Sequence, residues 1–264
     1  MSGKKWIEAC EFHSLDAGEV LDKVAQQVSR QARPVVLLDL DSTLYEVRPR
    51  SHRILGEWAG QSSSQSVDSA EKALWEILLG LEEAHIQYSI SDTFSYLKAQ
   101  MGISCSPESL ASMQQFWLER FFTSRYLAYD RPYAGAVEFV NRVHALGAEV
   151  IYLTGRDEPN MGDGTRANLL RDGFPWKVPR TQLLMKSAYG ESDLKHKTTA
   201  AEFVLTQGNL VASFENEPPN VVALQGIFPE AMHIFVETVY SQTPALPGKN
   251  LYRIDEFAKL RARD

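Results

Sequence analysis

The chain has 264 residues, 44% of them hydrophobic and 23% charged, with a net charge of −7. That profile suits a globular protein with one large domain, or a core plus a smaller module. The negative balance disfavours non-specific binding to nucleic acid or an anionic membrane surface. No apolar run approaches the roughly 18–20 residues of a membrane span. The two cysteines, Cys10 and Cys105, lie too far apart in dissimilar contexts to suggest a disulfide framework. The N-terminal "MSGKKWIEACEFHS" carries no signal-like apolar core. The expectation is a soluble, cytoplasmic protein.

Helical spacing of Leu15, Val20, Leu21, Val24 and Val28 predicts a helix over 15–31. It leads into an apolar strand at 35–39, within "PVVLLDLDSTLYEV". Period-2 geometry puts Asp39 and Asp41 on one side of an extended segment, with Ser42 and Thr43 next. Two anions that close repel unless a cation lies between them or one keeps a proton. The following "EVRPRSHRILGEW" reads as irregular and basic, and "GQSSSQS" at 60–66 as a flexible connector. Arg48, Arg50, His52 and Arg53 are either a solvated basic loop or an attractor for an anionic ligand.

From about Val67 to Tyr129 the pattern is helical and rich in aromatics. Ala70, Leu74, Ile77, Leu78 and Leu81 mark one helix, and Thr93–Met101 a second. Ser106 and Pro107 suit the N-cap and first position of a third, which carries Leu110, Met113, Trp117, Phe121 and Phe122. Trp117 and its neighbours read as core, or as the lining of a ligand pocket.

Strands and helices then alternate. Helix 133–146 stops at Gly147, and strand "AEVIYLT" ends at Thr154. A helix at 164–172 precedes strand "TQLLMK". Helix 193–207 precedes strand "NLVASFE", and helix 218–226 precedes strand "MHIFVE". "LYRI" and a final helix at 255–262 close the chain. This rhythm predicts an α/β core with a parallel sheet covered by helices on both faces, interrupted by an all-helical insertion.

In such sheets ligands bind beyond the carboxyl ends of the strands. Those ends present Asp39 and Asp41, then Thr154, Gly155, Arg156 and Asp157, then Glu215, Asn216 and Glu217. Lys195, His196 and Lys197 stand at the start of the helix that leads into the "NLVASFE" strand. Carboxylate oxygens in this arrangement suit Mg²⁺, which takes one or two protein carboxylates and completes its shell with water and phosphate. The six histidines are scattered and show no zinc spacing.

This set resembles the haloacid dehalogenase superfamily of phosphohydrolases. Asp39-Leu40-Asp41-Ser42-Thr43 matches its first motif, Thr154 its second and Lys197 its third, with Lys195 the runner-up. Its fourth motif falls at "SFENEP". The resemblance implies a Rossmannoid catalytic core at 1–46 and 132–264, with a C1-type helical cap at 47–131. It implies a Mg²⁺-dependent phosphohydrolase in which Asp39 attacks phosphorus to form an aspartyl-phosphate and Asp41 is the acid/base. Thr154 and Lys197 would stabilise the phosphoryl group, with Ser42, Thr43, Gly155 and Arg156 around the substrate; Arg156 could instead make a structural salt bridge. Asp39, the Asp41 carbonyl, Glu215 and Glu217 are the implied metal ligands. The substrate would be a small phosphorylated metabolite, and the oligomeric state is left open.

One feature departs from the family pattern. Its fourth motif usually presents Asp, whereas this chain has Glu215-Asn216-Glu217. Acids before Pro218 and Pro219 also suit a helix N-terminus through the macrodipole. The alternative reading is therefore a catalytically silent protein of this fold that binds a ligand or partner.

Overall fold

The computed structural model describes residues 3–62, 69–103 and 105–258. Before the insertion come α1 (Gly3–Ala9), β1 (Phe12–Ser14), α2 (Ala17–Arg30), β2 (Pro34–Leu38) and β3 (Tyr45–Glu46). The insertion holds α3 (Arg48–Ser62), α4 (Ser69–Leu79), α5 (Ile90–Met101), α6 (Pro107–Phe121) and α7 (Ser124–Leu127). After it come β4 (Arg131–Pro132), α8 (Ala136–Ala145), β5 (Glu149–Asp157), α9 (Glu158–Arg171) and β6 (Thr181–Lys186). The chain continues with α10 (Asp193–Gln207), β7 (Asn209–Glu215), α11 (Pro218–Ile227), β8 (Met232–Val236) and β9 (Leu251–Ile254). It divides into two compact units, Met1–Glu46 with Pro132–Asp264, and Val47–Arg131.

In the first unit seven strands form one sheet in the order β1-β9-β8-β7-β2-β5-β6, and every pairing in it is parallel. The alternation of β2 explains why its whole sequence is apolar. Val36 and Leu38 face a core built with α2 and α8, including Val20, Val24, Phe139 and Val143. Val35 and Leu37 face the opposite core, with Ala200, Ala201 and Val204 of α10. A strand buried on both faces has no polar side to offer. Strand order runs outward from β2 in two directions, through β5 and through β7. The crevice at the carboxyl end of β2 is thus a topological switch point.

The second unit has its own core of Leu55, Trp58, Leu74, Trp75, Leu78, Phe94, Leu97 and Met113. Trp117 packs against this core and donates from Nε1 to Ser51 Oγ at 2.9 Å. Ser106 caps α6 by accepting from Ser109 N at 3.0 Å, with Pro107 at the helix start as expected. Among the described residues no helix is long and apolar enough to cross a membrane.

Several expectations are corrected. The stretch after Asp41 is not irregular, because α3 begins at Arg48. Pro49 is tolerated in a first turn, and Leu55, Trp58 and Ala59 supply the buried stripe. Nor is it wholly solvated, since Arg50 is fully buried. β5 runs on to Asp157, and α9 starts at Glu158 rather than 164. Asp157 caps α9 by accepting from Asn160 N at 3.0 Å, and Gly162 and Gly164 mask its first turns in the sequence. α4 ends at Leu79, short of Leu81. Residues 255–258 are not helical, and the rest of the expected terminal helix lies outside the described residues. Of the expected connector, residues 60–62 belong to α3 and 63–66 lie outside the described residues. The sequence pattern marks neither α1 nor β1, a short edge strand beside β9.

Candidate active site

The residues at the switch point follow from two periodicities. Along β2, positions 35, 37 and 39 share a face, so Asp39 continues the line of Val35 and Leu37. On α10 the buried residues Lys197, Ala200, Ala201 and Val204 form one helical stripe. That stripe packs on the same face, and its Lys197 meets Asp39. Lys197 Nζ lies 2.6 Å from Asp39 Oδ1 and 2.5 Å from Glu215 Oε2. Leu38 pairs in register with Phe214 on β7, and Asp39 N donates to Phe214 O at 3.0 Å. This register sets Asp39 level with Glu215. All three side chains are buried. Lys195, two residues earlier, is exposed.

Glu215 is held on both sides. Its Oε1 accepts from Asn216 N at 3.2 Å and from Glu217 N at 3.1 Å, while Oε2 faces Lys197. Asn216 accepts from Thr43 Oγ1 at 3.1 Å and donates from Nδ2 to Val239 O at 2.6 Å. Glu217 turns to Ser241, accepting from its hydroxyl at 2.5 Å and its backbone N–H at 3.2 Å. Asn216 and Glu217 thus stand beside Glu215 in sequence but spend their side chains on other segments.

β5 supplies the neighbouring group. Thr154 is buried, and its hydroxyl oxygen accepts from Arg156 N at 3.3 Å. Arg156 is 1% exposed. Its Nε lies 2.9 Å from Asp41 Oδ1, an Nη pairs with the same oxygen, and Nη1 donates to Thr165 Oγ1 at 3.3 Å. Gly155 lies against the Asp193 carboxylate, which a Cβ there would displace. Ser42 sits in the left-handed region at φ 60°, turning the chain after Asp41. Its N–H donates to Tyr45 O at 2.8 Å.

Burial and charge act together here. Burial raises the Asp39 carboxyl to about 7, Glu215 adds to the rise and Lys197 opposes it. Burial likewise raises Glu215 against the pull of Lys197, and raises Glu217 against its bonds from Ser241. For Lys197 burial works against the ammonium, but Asp39 and Glu215 hold it above the ordinary lysine value. Two buried carboxylates, Asp39 and Glu215, thus share one ammonium, with half-buried Glu217 close by in sequence, a surplus of negative charge that a further cation would relieve. Among the described residues no group of three or more His, Cys, Asp or Glu forms a metal cage. The donors fit Mg²⁺, which takes few protein carboxylates, better than a metal that needs a full protein cage.

Sequence reasoning missed Thr165, Asp193, Thr238 and Ser241. Each acts through a single hydroxyl or carboxyl whose partner is set by the fold, with no spacing pattern to mark it.

No protein-family model matches the chain, and no curated protein does. Solved structures are similar. One is a protein from Clostridium difficile described as a phosphatase, 12% identical, covering 85% of this chain and 94% of that one at a TM-score of 0.54. Another is a haloacid dehalogenase-like hydrolase family protein from Streptococcus pneumoniae, 9% identical, covering 85% and 94% at a TM-score of 0.50. The chain has the haloacid dehalogenase-like fold. At these identities the likeness concerns the fold, and function rests on the residues at the switch point.

Proposed function

We propose that the chain is a Mg²⁺-dependent phosphomonoesterase that works through an aspartyl-phosphate on Asp39. The observation that carries this reading is Lys197 set between Asp39 and Glu215 at the carboxyl ends of adjacent strands. Asp39 attacks phosphorus as a carboxylate nucleophile, and Lys197 opposes its protonation while neutralising charge on the phosphoryl oxygens. Asp41 passes a proton to the leaving oxygen and takes one from the attacking water. Thr154, whose oxygen already accepts from Arg156 N, directs its hydroxyl hydrogen to the phosphoryl group.

Asp39, the Asp41 carbonyl and Glu215 would hold Mg²⁺, which when bound supplies charge stabilisation to the transferring group. The helical unit Val47–Arg131 acts as a substrate-selecting cap and restricts turnover to small phosphoesters. A cytoplasmic location accords with Cys10 and Cys105 not being joined in a disulfide.

One observation favours the silent alternative: both oxygens of Glu215 are already engaged by protein donors. The two readings separate in one experiment, phosphate release from a panel of small phosphomonoesters with Mg²⁺ and with EDTA. Activity that needs Mg²⁺ supports the enzyme. No release from any ester, together with no Mg²⁺ binding by calorimetry, supports the silent protein.

A further inference from the structure

The segment just after β8 attracts no notice in sequence, yet it is stitched to both halves of the site. Thr238 donates its hydroxyl to the carbonyl of Ser42. The next residue, Val239, offers its carbonyl to Asn216 Nδ2 at 2.6 Å. Two residues on, buried Ser241 donates its hydroxyl to Glu217 Oε2 at 2.5 Å and its N–H to both Glu217 oxygens at 3.2 Å. Ser241 Oγ also accepts from Thr243 N at 3.3 Å, which holds the segment in its turn. Four consecutive residues therefore send three ties into the site.

Two of the ties reach the turn that carries the two aspartates, and the third, from Ser241 to Glu217, anchors the segment beside it. Ser42 is a non-glycine residue held at φ 60°, a conformation that persists only when its surroundings fix it. Thr238 fixes it from the carbonyl side. Thr43, the next residue, is fixed through Asn216, which is itself held by Val239. Asp41 lies between Asp39 and this clamped pair. Both Glu217 oxygens are turned to Ser241, accepting from its hydroxyl and its N–H.

We infer that Thr238–Ser241 is a strap that positions the Asp39–Thr43 turn, and that Glu217 serves the strap through Ser241 rather than the metal. Thr238 and Glu217 are then positioning residues. The kinetic consequences rest on the phosphomonoesterase reading; the structural consequence does not.

The test uses the full chain with Thr238→Val, Thr238→Ser, Ser241→Ala and Glu217→Gln. Amide hydrogen exchange over residues 39–45 is expected to speed up by about tenfold in Thr238→Val and in Ser241→Ala, the scale of one lost hydrogen bond. Thr238→Ser keeps the hydroxyl and restores protection. In turnover, Thr238→Val lowers kcat by about tenfold with KM within about twofold, because the turn matters most in the transition state. Glu217→Gln keeps the Mg²⁺ concentration for half-maximal activity within about twofold, since the residue is not a ligand. Unchanged exchange in both Thr238→Val and Ser241→Ala overturns the strap. A tenfold or greater rise in the Mg²⁺ requirement of Glu217→Gln, of the kind expected from losing a ligand contact, overturns its assignment. If the wild-type chain hydrolyses no phosphoester, the enzyme reading fails while the exchange measurement still decides the strap.

Discussion

Arg156, almost wholly buried, holds Asp41 through its Nε at 2.9 Å and a second guanidinium nitrogen on the same carboxylate oxygen. The Asp41 side chain stays 31% exposed, so the pair presents an acid to solvent from an anchored base. Thr165 fixes the far side of the guanidinium, and the Tyr45 ring lies 5.5 Å beneath it. An arginine engaged in this way holds the Asp41 carboxylate in place.

Replacing Arg156 should therefore lower kcat more than it raises KM. Arg156→Lys lacks the planar fork and is expected to lose roughly 10- to 100-fold in kcat. The loss should be larger for alkyl phosphates than for nitrophenyl phosphate, whose leaving group needs no proton. Steady-state kinetics on both ester types measure it. A rise in KM alone would put Arg156 on the substrate instead.

Asp39 links stability to pH. Its carboxyl is raised to about 7 in the folded chain, against about 4 in an unfolded one. Between these values the folded state binds more protons, so the stabilising contribution is complete below about pH 4 and is lost as pH rises through about 7. Metal-free protein should melt at a lower temperature as pH rises across this window. Asp39→Asn should flatten that dependence and raise Tm at the alkaline end, while abolishing turnover. Scanning calorimetry with EDTA present reads both effects.

Lys197→Met should do the opposite. It strands Asp39 and Glu215 as buried carboxylates without their ammonium, a loss of about 3–5 kcal/mol for a broken buried pair. Urea unfolding at neutral pH measures it. A stability equal to wild type would mean that the pair is not formed in solution.

In the helical unit Arg50 and Asp130 form a second buried pair of this kind. Both side chains are fully buried, with Nε–Oδ1 at 2.8 Å and Nη2–Oδ2 at 2.5 Å, and the guanidinium lies 4.3 Å from the Phe121 ring. Arg50→Met alone should cost about 3–5 kcal/mol, and pairing it with Asp130→Leu should recover much of that. A double-mutant cycle in urea tests it.

Much of this architecture is legible in the amino-acid pattern. α10 and β7 run where the pattern places them, because Ser192 and Gly208 bracket a helical stripe and Leu210, Val211, Ala212 and Phe214 make "NLVASFE" a mainly apolar run. Lys197 is legible through its resemblance to the family's third motif, and its place on the buried stripe of α10, where Lys195 is exposed, separates it from its neighbour. α3 is obscured by Pro49 and its basic neighbours, although Leu55, Trp58 and Ala59 have helical spacing. The burial of Arg50 depends on a partner 80 residues away, beyond any local pattern. The ties of Thr238 and Ser241 are illegible for a related reason: a hydroxyl aimed at a distant carbonyl or carboxylate has no periodicity.

The central claim is that Asp39 carries the phosphoryl group. Acid-quenched turnover of a small phosphomonoester with Mg²⁺, followed by peptide mass mapping, tests it most directly. A phosphoryl adduct is expected on the peptide bearing Asp39, formed before phosphate release reaches its steady rate and absent from Asp39→Asn. An adduct on another residue, or phosphate release undiminished in Asp39→Asn, would contradict it.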